Sequence, residues 1–304
     1  MDLAEQSAVK PQQLLHKNTV IDKITAYYEL TKPGIVGLSL VAALTGIYFG
    51  NHGVLPQWDL IIWTFITLGL AVGGSCMLNN VYDRDIDANM PRTSKRALAS
   101  GHASPTLALT LGIVFIVTSL LTMTLLVNTL ASLVTAAGVI GYVGVYTMWL
   151  KRRSPWANTF GGLAGAVPPM VGFAAVTGQI GIEAWTLFFI MLIWQHPHAL
   201  SLALKYRGEY ASVNVPVVPV ARGVKTTKWR IFLYALVLTP LTALPYYVGM
   251  AGQYFLAVAM ALNAVFIYMS YRFMRSEKDC DMRIFAYSII YLILLFSSMV
   301  IDSV

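Results

Sequence analysis

Apolar residues run along this chain in nine long blocks, each close to the roughly 20 residues that a helix needs to cross bilayer hydrocarbon. They cover approximately residues 34–50, 59–80, 105–127, 129–149, 155–177, 184–204, 230–250, 253–272 and 284–301. The polar segments between them are short, leaving no room for a soluble domain, a linker or a low-complexity tract. The pattern predicts an all-α protein, a polytopic membrane helical bundle of about nine transmembrane helices. Residues 1–33 are polar with scattered aromatics and read as an N-terminal arm leading into an interfacial segment; residues 34–304 form the transmembrane domain, entered at Lys32 and Pro33.

Charge gives the bundle a direction. Of 304 residues 57% are hydrophobic and only 12% charged, and the mean hydropathy of +0.65 excludes a soluble domain. The net charge of +7 would suit a nucleic-acid binder, but its distribution argues for a lipid bilayer and against nucleic acid. All 21 Lys and Arg lie in the arm before the first span or in the segments after the even-numbered spans; the segments after the odd-numbered spans hold none. By the positive-inside rule the N-terminus and the even loops face the cytoplasm, the C-terminus lies outside, and a cavity in the bundle opens toward the cytoplasmic loops. Cys76 and Cys280 are the two cysteines, with no Cys-x-x-Cys or Cys/His pattern, so neither a disulfide nor a zinc site is expected. The first thirty residues lack the apolar core of a cleavable signal.

The chemistry concentrates in the loop after span two, NNVYDRDIDANMPRTSKRALASG, residues 79–101. Asn79, Asp83 and Asp87 are four residues apart, so on a helix they project from nearly one face. Such a ladder of oxygen ligands suits Mg²⁺, a hard cation commonly held by one or two carboxylates and substrate phosphates. Arg92, Lys95 and Arg96 follow; guanidinium groups grip phosphate by paired hydrogen bonds, although a basic run beside a span is also a topology signal. Tyr146 and Lys151 end span four, where Lys151 to Arg153 reads equally as a topology cluster or as an anion grip. After span six, Lys205 and Glu209 repeat the four-residue spacing, with Glu209 placed to complete a second set of metal ligands. Span five is rich in small residues around Pro168 and Pro169, a pattern of close helix packing, and a kink there could also shape an apolar cavity. His196 and His198 flank Pro197 in span six; packing and haem-iron ligation are both open to them.

NNVYDRDIDANMPRTSKRAL resembles the first aspartate-rich signature of the intramembrane prenyltransferases of the UbiA superfamily. YTMWLKRRSPWANTFGGLAGAVPPMVGFAAVTG and WQHPHALSLALKYRGEYASVNVPVVPVARG resemble, more narrowly, its haem-farnesylating branch, the protohaem IX farnesyltransferases or haem O synthases. The match runs from about Thr31 to Gly223, and the last three spans match in hydropathy alone. The resemblance implies a Mg²⁺-dependent transfer of the farnesyl group of farnesyl diphosphate to a vinyl group of haem B, with water addition, to make haem O for terminal oxidases. It implies a bacterial plasma membrane and a downstream haem A synthase as a further partner. On this pattern Asn79, Asp83, Asp87 and Glu209 are metal ligands, and Asp83, Asp87, Lys151 and Glu209 carry catalysis. Diphosphate falls to Asn79, Arg92, Arg96, Lys151, Lys205, Tyr146 and Lys32; haem falls to His198, which matches a family position, and to His196, which is less typical of the family. Lys205 stands where many relatives with aromatic acceptors carry an aspartate. Ala97 and Asn214 depart from the family's usual proline and glycine. A sister enzyme acting on a quinone precursor or chlorophyllide would share the diphosphate site; a transporter would place its ionisable residues near mid-membrane, whereas here they cluster at one surface.

Overall fold

A computed structural model describes residues 20–304. The first part of the expected N-terminal arm, with Lys10 and Lys17, lies outside the described residues. Twelve helices follow in order: α1 (Val20–Leu30), α2 (Pro33–Gly50), α3 (Trp58–Ala88), α4 (Pro105–Leu126), α5 (Thr129–Leu150), α6 (Ala157–Thr177), α7 (Ile182–Lys205), α8 (Arg207–Ser212), α9 (Val218–Ala221), α10 (Gly223–Tyr247), α11 (Gln253–Arg275) and α12 (Met282–Ile301). Eight of them are long and apolar enough to cross a membrane. The remaining long helix, α10, has 25 residues, but Lys225, Lys228 and Arg230 in its first turns and Pro240 and Pro245 in its interior make it less apolar. The chain is a multi-pass membrane protein. Its outward side chains are those lipid tolerates: Leu125 is 80% exposed and Leu133 61%.

Among the described residues these eight helices and α10 pack in one bundle, and hydrogen bonds identify which termini share an end. At one end Tyr48 Oη bonds Ser303 Oγ (2.8 Å), Gly252 N–H donates to Asp302 O (2.8 Å), and Ala251 bridges to Ser303. The ends of α2, α10 and α12 and the start of α11 therefore meet there. Lys32, the C-terminal turns of α3 and α5, and α8 meet at the other end, where Arg92 N–H donates to Glu209 (3.1 Å). The alternation of basic and neutral loops matches this division.

Small residues bring α2 and α6 into backbone contact. A Cβ on Gly46 would lie 1.8 Å from Pro169 O, and one on Gly172 would lie 2.0 Å from Ala43 O. Pro168 and Pro169 lack the N–H that would bond the carbonyls of Ala164 and Gly165, and both of those residues line the central cavity. The second half of the bundle, α7 and α10 to α12, closes on a separate core around Leu187, Phe255, Phe266 and Tyr291. Inside it Tyr291 Oη donates to Asn263 Oδ1 (2.8 Å) and Asn263 Nδ2 to Thr242 Oγ1 (2.7 Å), so this buried polar chain is satisfied within the protein.

Gly172→Ala should push α2 from α6 and destabilise the protein by about 1–3 kcal/mol, the usual cost of overpacking. Thermal unfolding in detergent would show it as a lowered Tm; an unchanged Tm would mean that the two helices part without cost.

Candidate active site

α3 is long enough to carry its ladder beyond the bilayer core. At 31 residues it reaches about 46 Å against a hydrocarbon thickness of about 30 Å. Its last turns therefore stay helical to Ala88 rather than ending near residue 80, and the four-residue spacing does place Asn79, Asp83 and Asp87 on a buried face. Asp85, half a turn away, points outward and pairs with Arg152 (2.6 Å).

The buried face is tied to two neighbouring elements. Lys32 Nζ donates to Asn79 Oδ1 (2.8 Å), while Asn79 Nδ2 donates to Asp83 Oδ2 (2.8 Å) and to Thr147 Oγ1 (3.2 Å). Lys151 Nζ forms an ion pair with the same Asp83 Oδ2. Asp83 is fully buried, and its other oxygen, Oδ1, has no hydrogen-bond partner among the described residues. Lys32 reaches Asn79 from a left-handed backbone conformation (φ +53°), uncommon for a side-chain-bearing residue and a marker of functional sites. Burial lowers its ammonium pKa to about 8; Arg96 and Lys151 add to this, against Cys76 and Asp83.

The loop after α3 folds back over the ladder. Arg96 Nη1 pairs with Asp87 Oδ2 (2.6 Å), and Thr93 Oγ1 donates to Asp87 O (3.1 Å). The Arg92 guanidinium lies 4.7 Å from the Tyr206 ring centre and Lys205 Nζ 5.2 Å from it, so two cations share one aromatic ring. Glu209 accepts from the Arg92 backbone and so ties α8 to this loop. The structure does not gather Glu209 with Asp83 and Asp87: no group of three or more His, Cys, Asp or Glu among the described residues is placed to hold a metal ion. Asn214 occupies a left-handed conformation (φ +55°), the setting in which glycine is favoured and asparagine is the best-tolerated substitute. Its turn is kept.

Beneath the ladder lies an apolar cavity of about 310 Å³ between α2, α3, α5, α6 and α7. Cys76, one turn before Asn79, lines it, as do Tyr142 and Tyr146, whose rings stack at 5.6 Å. Tyr146 also lies 5.8 Å from Lys151 Nζ, linking the cavity roof to the charged network. Volume and lining suit a small-molecule site. The tyrosines and Thr147 sit on a π-helical stretch, Ile140–Leu150, a geometry that often marks functional sites. Sequence reasoning found Tyr146 but missed Tyr142 and Thr147; the signal available was their spacing of four from Tyr146 and from Lys151.

The two histidines are not brought into this cavity. His196 Nδ1 bonds Leu192 O (2.6 Å) and its ring stacks on Tyr234 at 4.2 Å, while His198 Nδ1 bonds Ser288 Oγ (2.8 Å) between Trp194 and Phe285. Two positions apart on a helix, they face nearly opposite sides. The residue of this segment that does line the cavity is Gln195, which donates to Gly162 O (2.5 Å).

Residues 39–296 match the UbiA prenyltransferase family. The chain is 43% identical over 281 residues to a protohaem IX farnesyltransferase of Aquifex aeolicus, covering 92% of this chain and 96% of that one. It is 41% identical over 284 residues to the protein of that name from Neorickettsia sennetsu, covering 92% and 93%. In fold it is similar to a digeranylgeranylglyceryl phosphate synthase (TM-score 0.78, 16% identity, 92% and 98% covered). It is also similar to a UbiA homologue from Archaeoglobus fulgidus bound to GPP and Mg²⁺ (TM-score 0.63, 16% identity, 90% and 99% covered). The chain belongs to the UbiA prenyltransferase family and, within it, to the family of the protohaem IX farnesyltransferases.

Proposed function

We propose that this protein transfers the farnesyl group of farnesyl diphosphate to a vinyl group of haem B, with addition of water, to make haem O. The observation that carries the reading is a fully buried carboxylate, Asp83, one turn beyond the ladder's first rung, Asn79, and paired with Lys151, whose ammonium lies 5.8 Å from the Tyr146 ring that lines an apolar cavity. A charged rim above an apolar hole is what a diphosphate bearing an isoprenoid tail requires. Membership of a haem-farnesylating family selects the acceptor; the diphosphate site alone would serve a quinone precursor equally well.

The orphaned, buried Oδ1 of Asp83 is the structural argument for a bound cation, since an unpaired carboxylate oxygen at this depth is costly. Asn79, Asp83 and Asp87 would hold Mg²⁺, which supplies Lewis-acid neutralisation of the diphosphate when bound. Glu209 acts at the rim, holding the 79–101 loop through Arg92.

The chain's own cations do the rest. Lys32, Lys151, Arg92 and Arg96 converge where diphosphate charge grows as the allylic C–O bond breaks, and preorganised charge of this kind commonly lowers an enzyme's barrier more than any other effect. Lys205 joins them through the shared Tyr206 ring. The stacked faces of Tyr142 and Tyr146 lie where the allylic cation develops and stabilise it as aromatic rings stabilise cations. The apolar walls keep water from the cation until the vinyl carbon attacks. We place the site end of the bundle at the cytoplasmic face of a bacterial plasma membrane, following the basic loops, and keep a haem A synthase as the consumer of the product. His198, held by Ser288 among aromatic rings, is assigned to packing between α7 and α12.

Purified protein incubated with haem B, farnesyl diphosphate and Mg²⁺ should yield haem O by mass spectrometry; absence of farnesylated pigment would overturn the assignment. Removal of divalent metal with EDTA should stop turnover, with recovery on adding Mg²⁺; undiminished turnover in EDTA would remove the metal from the scheme. Asp83→Asn, which keeps shape and loses charge, should lower turnover by about 100-fold or more, with the protein still extractable from membranes as a monodisperse species. Near-normal turnover would mean that the ladder is not the diphosphate site.

A further inference from the structure

A second, much smaller cavity lies beside the first. It has a volume of about 10 Å³ and is lined by Asn158, Thr159, His196, Ala199, Arg230 and Tyr234, among others. Asn158 and Ala199 line both cavities, so the small one is separated from the apolar chamber by a single wall of side chains.

One polar atom in this niche is unaccounted for. His196 is 94% buried, and its Nε2 has no hydrogen-bond partner among the described residues. The opposite nitrogen fixes the tautomer. Nδ1 lies 2.6 Å from Leu192 O, and a carbonyl oxygen only accepts, so Nδ1 carries the proton. In the neutral ring Nε2 is then a bare lone pair, held in place by the stacked Tyr234 ring. A cavity of roughly 10–15 Å³ with two to four polar partners is the size and lining of a single-water site. Asn158, Thr159 and Arg230 also line it and carry the polar groups that could serve as the other partners.

We infer that this niche holds the water that completes the reaction and that His196 Nε2 takes its proton. The inference rests on the farnesylation reading above. The vinyl CH₂ carbon bonds to farnesyl C1 as the C1–O bond breaks, with the bonding pair leaving on diphosphate. Positive charge passes to the vinyl carbon next to the porphyrin ring. The water oxygen bonds to that carbon through a lone pair, and its O–H bond breaks with the proton going to Nε2, from which it returns to solvent. A water kept behind Asn158 is excluded from the first cation in the apolar chamber and delivered to the second. That is the order the product demands.

The test is the ratio of two pigments after reaction with haem B, farnesyl diphosphate and Mg²⁺: the hydrated product, and the farnesylated product lighter by one water, formed when the second cation loses a proton instead. Because a ratio is read from whatever enzyme is active, partial loss of folded protein does not change it. His196→Gln retains an N–H for Leu192 O and removes the base; the hydrated fraction should fall about 100-fold relative to the dehydrated one. Asn158→Leu, which closes the niche from the side of the chamber, should shift the ratio the same way, and oxygen in the wild-type product should come from ¹⁸O-labelled water. A wild-type ratio in both variants overturns the inference while leaving farnesylation intact. Loss of all pigment in a folded His196→Gln protein also overturns it, by placing the histidine at an earlier step. A wild-type protein that forms no farnesylated pigment overturns both readings.

Discussion

The site depends on the buried ion pair between Asp83 and Lys151. It joins the last turns of α3 to the end of α5, and Asn79, Lys32 and Thr147 are hydrogen-bonded around it. Removing one partner from such a pair costs about 3–5 kcal/mol, because the other charge stays buried and unpaired. The pair is incomplete in a useful way: the lysine takes one carboxylate oxygen, and the other is left without a partner among the described residues. On the proposed function, Asp83, desolvated and half satisfied, would take a cation, and an incoming diphosphate would offer Lys151 a new anionic partner. Arg96 on Asp87 repeats the arrangement one turn further along. The cations that would bind substrate are held by the carboxylates that would bind metal until both arrive.

Helix packing supplies the chamber beneath. Gly46 and Gly172 let α2 and α6 touch along their backbones, and the same closeness fixes the wall that carries Pro168 and Pro169. The π-helical stretch of α5 hangs Tyr142 and Tyr146 across the roof, so the boundary between charged rim and apolar chamber is aromatic. Aromatic faces can meet both the cation formed above and the isoprenoid chain below.

Much of this was legible in the sequence because charge is expensive in lipid. In the sequence the basic residues cluster in the arm and after the even-numbered spans, and their alternation showed which loops share a surface; the contact between Arg92 and Glu209 joins two of those loops. The spacing of Asn79, Asp83 and Asp87 was readable because α3 stays helical past the bilayer edge. Other features left no mark. IGYVGVYTMWL is apolar and aromatic throughout, so nothing in its pattern announces a π-helix or singles out Thr147. The left-handed turn at Lys32 is set by tertiary contacts that local pattern does not encode. Glu209 shares the four-residue spacing of the ladder, yet the short helix that carries it directs it to the Arg92 backbone rather than to the two aspartates. The histidines were separable in principle: side chains two residues apart on a helix project to nearly opposite sides, and helical geometry alone assigns them to different neighbours.

The most direct test of the central claim is a structure of the protein with Mn²⁺ and a non-cleavable thio analogue of farnesyl diphosphate, located by anomalous scattering. Metal density is expected against Asp83 Oδ1 and Asp87, the diphosphate against Lys32, Lys151 and Arg96, and the isoprenoid tail running past Tyr142 and Tyr146 into the apolar chamber. Metal bound away from the α3 ladder, or a tail lying on the lipid-facing surface with the Asp83–Lys151 pair undisturbed, would contradict it.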